Sequence, residues 1–400
     1  MDDLSVKDLF PADPSVPRRI YCDSCGKHMR LREADFSKQV SGVHITVNGV
    51  LELYCSNCDE SFWPDNTRLA LIHLWERAKD NNQDRIQSTR RKRDDDFGYT
   101  KVNFVYDPDD YHYIPGLTHK ESPGFLTPVF FNKRVLAKFD SLDDYRLRFG
   151  SRTYGGIYTE DYTIDFGINE NEKVVMWLGD IANLPESEQY YLRSENVPSD
   201  HSIGSEFYDG QIECIFTDAT GEDTLIHERS EFLDSAKQYF GLSISHLDDE
   251  LLQAIEELIP PVHFSAKQQR HFCDLLNRIC SESLSSDALT KLLKDRGIDP
   301  KKMGTLKKLQ RLLDHEFLEL DAASIVSPLF VAYDLRVMNS HLTSDSSVTE
   351  TLDFCKQRLG LDADTGFEEI YGNLIEQLGG CYRALRSAIE AQSITPETSA

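Results

Sequence analysis

No apolar stretch in this 400-residue chain is long enough to span a bilayer. The longest, around Ser324 to Leu335, falls short of the roughly 20 residues a spanning helix needs, so no membrane association is expected. The first residues, Met1-Asp2-Asp3-Leu4, lack the basic region and apolar core of a signal peptide. Basic charge is also scarce: 43 Lys and Arg stand against 68 Asp and Glu, a net charge of −25. A uniformly acidic protein grips nucleic acid poorly, so any such role must rest on a local basic patch. There is no repeat of fixed period and no phosphate-binding loop. Gly155-Gly156 is not followed by Lys-Ser/Thr at the required spacing. Asp200-His201-Ser202 has the composition of a catalytic triad, but adjacent side chains on one loop do not face one another as a triad must, and a turn is expected there.

What is present is a soluble composition, 40% apolar and 28% charged, at a length that suits two or three domains. The charge is uneven: −3 over residues 1–80, +1 over 81–97, −14 over 98–240 and −9 over 241–400. Four of the nine cysteines form two pairs, Cys22-Asp23-Ser24-Cys25 and Cys55-Ser56-Asn57-Cys58. Each pair can grip one face of a tetrahedral Zn2+ through thiolates, and the 29 residues between them suffice for a hairpin that brings the pairs together. With four sulfur ligands no position is left for a reacting water, so the zinc is expected to be structural. The remaining five, Cys214, Cys273, Cys280, Cys355 and Cys381, are scattered and odd in number, which suggests reduced thiols and a cytoplasmic location.

Periodicity divides the rest and predicts an α+β multidomain chain. Val43–Val47 and Val50–Tyr54 read as strands around an Asn48-Gly49 turn, and a helix capped by Asp65 or Asn66 should run to about Lys79. Residues 81–97 mix Arg90-Arg91-Lys92-Arg93 with Asp94-Asp95-Asp96 and read as a charged linker. Residues 98–228 suggest a mixed α+β sensor or interaction domain, with strands near 102–106, 129–131, 163–166, 174–178 and 212–216 and short helices after Ser141 and Pro185. From 229 to 400 apolar residues recur at helical spacing, predicting a bundle with helices over 229–240, 247–258, 265–282, 286–296, 304–315, 328–340, 348–358 and 366–391.

Cys22-x-x-Cys25-Gly26, the strand Val43–Val47 with Asn48-Gly49, and Leu53-Tyr54-Cys55-x-x-Cys58-Asp59-Glu60 together resemble the YgiT-type zinc finger at the N-terminus of MqsA-type antitoxins. The resemblance covers about a fifth of the chain and implies a structural zinc site in a toxin–antitoxin context. Those antitoxins continue into a helix-turn-helix domain, which residues 98–240 do not resemble, so DNA binding is not carried over. His28 and His44 near the cysteines read as ordinary surface or hairpin residues.

In the helical region, Arg336-Val337-Met338-Asn339-Ser340-His341 looks like the Arg-x4–6-His motif of HEPN domains, all-α bundles that are often ribonucleases in antiviral defence. The resemblance implies metal-independent RNA cleavage at a homodimer interface. His341 would move the 2′-hydroxyl or leaving-group proton, Arg336 would hold the phosphate, and Asn339 would orient either group. A catalytically silent bundle is the alternative. Arg68-x4-His73 matches the same pattern inside the zinc domain, and Val337 stands where active members usually carry a polar residue. Lys291 to Arg311 carries a net +6, with Lys301, Lys302, Lys307, Lys308 and Arg311 as candidate RNA contacts. Met176 to Pro198 resembles segments found beside HEPN-like domains in bacterial proteins and implies no activity. The expected function is therefore a defence or stress-response ribonuclease whose residues 1–228 receive a protein partner or a phage-derived trigger. A non-enzymatic adaptor or antitoxin-like binder is the runner-up.

Overall fold

A computed structural model describes residues 3–10, 19–91, 99–110, 124–215, 217–246, 248–340 and 345–393. The chain combines α and β structure in two compact units, Met1–Asp218 and Ala219–Ala400.

The first unit opens with a ribbon. β1 (Arg30–Val40) and β2 (Val43–Cys55) pair antiparallel around a tight turn at Ser41-Gly42. The expected turn at Asn48-Gly49 is instead a bulge inside β2: Phe36 faces Val47 and Ala34 faces Val50, so two residues lie opposite Asp35. The Asp35 carboxylate accepts from the Gly49 N–H at 3.0 Å and fixes the bulge. β3 (Glu60–Phe62) pairs with the end of β2. α1 (Asp65–Asp80) covers the sheet, burying Leu71, Ile72 and Leu74 against Phe36, Val43 and Ile45.

Part of the expected linker is structure. β4 (Arg85–Thr89) runs parallel to β2 with Ile86 opposite Ile45. One buried apolar residue and a row of backbone hydrogen bonds hold this strand, and hydrophobic patterning registers neither.

A second sheet has the order β10-β5-β9-β8-β7-β6 and is antiparallel throughout. Its strands are β5 (Pro128–Asn132), β6 (Arg146–Phe149), β7 (Tyr154–Tyr158), β8 (Thr163–Ile168), β9 (Lys173–Trp177) and β10 (Asn196–Val197). Interspersed are α2 (Ala137–Ser141), α3 (Leu178–Ala182), α4 (Glu186–Glu195) and α5 (Glu206–Tyr208). Three expectations change here. The short helix ends at Ser141 instead of following it. Residues 102–106 form no strand; the Asn196 side chain brackets Val105, accepting from its N–H at 2.6 Å and donating to its carbonyl at 3.0 Å. Ile212 and Glu213 belong to a wide helical turn over Asp209–Glu213, held by Trp177 Nε1–H donating to Gln211 at 2.6 Å.

The second unit is helical, from α6 (Gly221–Phe240) through α7 (Asp249–Glu257), α8 (Ala266–Asn277), α9 (Ser286–Asp295) and α10 (Thr305–Glu316) to α11 (Ala322–Ile325), α12 (Ser327–Ser340), α13 (Asp345–Leu359) and α14 (Phe367–Ser393). α6 starts eight residues before the expected 229 because Thr220 caps it, its hydroxyl accepting from the Asp223 N–H at 3.0 Å. The core joins Leu225 and Phe232 of α6 to Leu378, Tyr382 and Leu385 of α14. Between α8 and α9 the chain makes a π-helical turn over Arg278–Glu282. No described helix is long and apolar enough to cross a membrane.

Candidate metal centre and bundle site

Both cysteine pairs sit on matching knuckles. The Gly26 N–H donates to the Cys22 carbonyl and the Asp59 N–H to the Cys55 carbonyl, each at 2.9 Å. Gly26 (φ 70°) and Asp59 (φ 57°) both take the left-handed conformation that turns the chain back. The second knuckle is the β2–β3 turn, so the hairpin carries it onto the first. All four sulfurs lie within 4.8 Å of one another, and Cys25 Sγ and Cys55 Sγ are 3.6 Å apart. That spacing is far beyond a disulfide bond and close to the roughly 3.8 Å edge of a tetrahedron with 2.3 Å metal–sulfur bonds. The four cysteines are free thiols that could hold one metal ion. Glu60 braces the first knuckle, accepting from Ser24 Oγ at 2.7 Å, while Asn57 Nδ2 donates to Cys58 Sγ at 3.7 Å.

His28 is more than a surface residue. Its Nε2 lies 2.8 Å from Asp209 Oδ1, the same atom that accepts from the Tyr21 hydroxyl. A Cβ at Gly204 would come within 2.3 Å of His28 Cβ, so the knuckle packs directly on that backbone. His44 is a hairpin residue, near Ser37 Oγ at 3.3 Å.

A third cluster escaped sequence reasoning. His201 Nδ1 is 2.7 Å from Asp110, whose other oxygen accepts from Ser199 Oγ at 2.6 Å; Asp107 lies 3.9 Å from His201 Nε2. Asp110 is fully buried. Burial pushes its carboxyl above the usual range, while its hydrogen bond raises the His201 pKa. The consecutive side chains of Asp200, His201 and Ser202 diverge as expected of a turn: Asp200 accepts from Asn169 and Asn171, and Ser202 donates to Glu170. The clue in the sequence, Asp107-Pro108-Asp109-Asp110, lies too far from His201 to suggest the pairing.

In the helical unit, Arg336 and Asn339 lie one turn apart on α12, and His341 lies outside the described residues. The Arg336 guanidinium, 32% exposed, has its Nε 3.8 Å from Asp274 and a terminal nitrogen 3.9 Å from Glu282, and among the described residues the buried Nε has no partner within hydrogen-bond distance. The Asn339 Nδ2 donates to the Leu335 carbonyl at 2.9 Å and to Cys273 Sγ at 3.4 Å. Of the basic candidates, Lys301, Lys302, Lys307 and Arg311 are exposed, whereas half-buried Lys308 donates to Ser286 Oγ at 2.7 Å. Lys307 lies over the Phe330 ring of α12 at 5.0 Å. A cavity of about 340 Å³ opens beside this contact, among α8 and its π turn, the start of α10, and α12. Arg68-x4-His73, the second copy of the Arg/His pattern, lies on α1, with Arg68 Nε donating to the Trp63 carbonyl at 2.9 Å. Compared with known proteins, the chain matches no family model, no curated sequence and no solved structure.

Proposed function

We propose that the chain is a prokaryotic defence or stress-response protein whose helical unit acts on RNA and whose cysteine centre holds a structural Zn2+ in a YgiT-like ribbon. The observation that carries the RNA reading is Arg336. A guanidinium whose buried Nε makes no hydrogen bond among the described residues, on the helix that meets the exposed Lys307, is suited to receive a phosphate. A HEPN-like bundle would pair it with His341 as the proton-transferring group and work as a homodimer. Residues 1–228 would receive a protein partner or a phage-derived trigger.

One observation favours the adaptor reading. Asp274 and Glu282 flank Arg336, and Asn339 is spent on Cys273, which is the arrangement of a bundle whose arginine is structural. Induction of wild type, Arg336→Ala, Arg336→Lys and His341→Ala in cells, followed by RNA profiling, separates the two. The ribonuclease reading expects cleavage by wild type that Arg336→Ala and His341→Ala abolish and Arg336→Lys partly restores. Absence of cleavage by wild type in the presence of phage, or cleavage unchanged in His341→Ala, would remove that reading and leave the adaptor.

A further inference from the structure

β4 ends at Thr89, opposite Asn48, while β2 runs on to Cys55. Around that end, α1 and β2 leave a cavity of about 520 Å³ within the first unit, bordered by Arg90 and Arg91. The volume falls in the range of small-molecule sites. Its floor is apolar: Val50 and Leu51 of β2 and Leu71 and Leu74 of α1 line it, with Ala70 at the helix surface. Such a floor favours a hydrocarbon body over water.

The charge around this floor is one-sided. Arg77, Arg90 and Arg91 line the cavity against a single acid, Asp109, in a chain whose net charge is −25. Asp109 is buried and paired with Arg90, whose other terminal nitrogen holds Glu33. Arg77 and Arg91 are exposed, and neither side chain makes an ion pair or hydrogen bond among the described residues. Both sit on fixed backbone. Arg77 belongs to the last turn of α1, and Arg91 follows directly on Arg90, whose N–H donates to the Asn48 carbonyl at 3.0 Å.

A guanidinium presents a planar fork that matches a carboxylate. Either arginine alone would be an ordinary solvated cation. With an apolar floor beside them, the two select an anion that also carries an apolar body.

We propose that this cavity binds a small carboxylic acid with an aliphatic or aromatic body. The body lies on Val50, Leu71 and Leu74, and the carboxylate pairs with Arg77 and Arg91. An alcohol of the same length lacks the charge, and acetate lacks the body, so each should bind weakly. The inference depends neither on the metal centre nor on the RNA reading.

Calorimetry on the full chain with octanoate, octanol, acetate and a short peptide ending in two leucines tests this. Arg77→Gln and Arg91→Gln remove the charges, and Ala70→Phe fills the floor. All three positions are exposed, so each variant should melt with wild type. Wild type should bind octanoate roughly tenfold or more tightly than octanol or acetate, the worth of one charge-assisted pair. Each arginine variant should lose about that factor for octanoate and bind octanol as wild type does, while Ala70→Phe should weaken both. Absence of octanoate binding to wild type, equal affinity for octanoate and octanol, or octanoate binding indifferent to both arginine variants overturns the proposal. Tighter binding of the peptide than of octanoate also overturns it, and assigns the cavity to the C-terminus of a partner chain.

Discussion

His201 places its Nδ1 2.7 Å from the carboxylate of Asp110, a fully buried group 91 positions earlier in the chain. Three acids surround this imidazole, Asp107, Asp110 and Asp200, and together they raise its pKa above the ordinary 6.5, the Asp110 hydrogen bond first. The sign follows from linkage. The folded state holds the proton more tightly than the unfolded chain, so this stabilisation is complete below about pH 6.5 and fades as pH rises through the raised value. His201→Gln should cost about 1–3 kcal/mol at pH 6, because among the described residues the Asp110 side chain then keeps only Ser199 and the charged partner is gone. The variant should lose less at pH 8.5. Urea melts of both proteins across that range check this, and a constant difference would refute the ion pair.

Gly204 tests how the first knuckle seats. An added methyl would meet His28 Cβ at 2.3 Å, and the neighbouring backbone is pinned by the Leu31 N–H donating to the His201 carbonyl at 3.0 Å. Gly204→Ala should therefore destabilise the first unit by about 1–3 kcal/mol. Gly372→Ala is the control. It lies within α14 with no atom within 4 Å of the new Cβ, and should be neutral or stabilising by up to about 1 kcal/mol. Thermal melts that rank the two variants the other way would contradict the packing described.

Metal removal should act locally. The knuckles are short turns held by a few hydrogen bonds, Gly26 to Cys22, Cys22 to Lys27 and Asp59 to Cys55 among them, and they crowd four sulfurs together, so binding of an ion should complete the folding of this region. Elemental analysis should find one zinc per chain. Stripping it with a chelator should remove hydrogen-exchange protection from 21–30 and 55–62 while α14 keeps its own. Cys58→Ser should reproduce the effect. Unchanged exchange after verified removal would show that the ribbon needs no metal.

The helical unit was legible because its elements are long and turn an apolar stripe to the core; the boundaries expected for α8, α9, α10, α12, α13 and α14 fall close to those observed, while the four-residue α11 was not expected. The cysteine pairs were legible because two short motifs carry their own geometry. What escaped has a common cause. β4 owes its place to backbone pairing with β2, the Val105 segment to the side chain of Asn196, and the Asp110–His201 pair to a contact across the unit. None of these leaves a periodic trace. Asn48-Gly49 misled for a different reason: the dipeptide that suits a hairpin turn also suits a bulge, and Ser41-Gly42 takes the turn. Arg336 was visible as half of a motif, while its neighbours Asp274 and Glu282 come from α8 and the π turn and leave no linear signature.

The π turn at Arg278–Glu282 interrupts regular helix bonding. Arg229 of α6 holds the turn in place. It is 5% exposed, its Nε donates to the Ile279 carbonyl at 2.8 Å, and its terminal nitrogen donates to Ser283 Oγ at 2.7 Å. Ser283 Oγ donates in turn to the same carbonyl at 2.6 Å. Arg229→Met keeps much of the buried volume and removes both charge-assisted bonds, so it should cost about 2–4 kcal/mol. The loss should be uneven: amides over 277–284 should exchange faster while those of α14 keep their protection. Stability that falls with no change in local exchange would assign Arg229 to the general core.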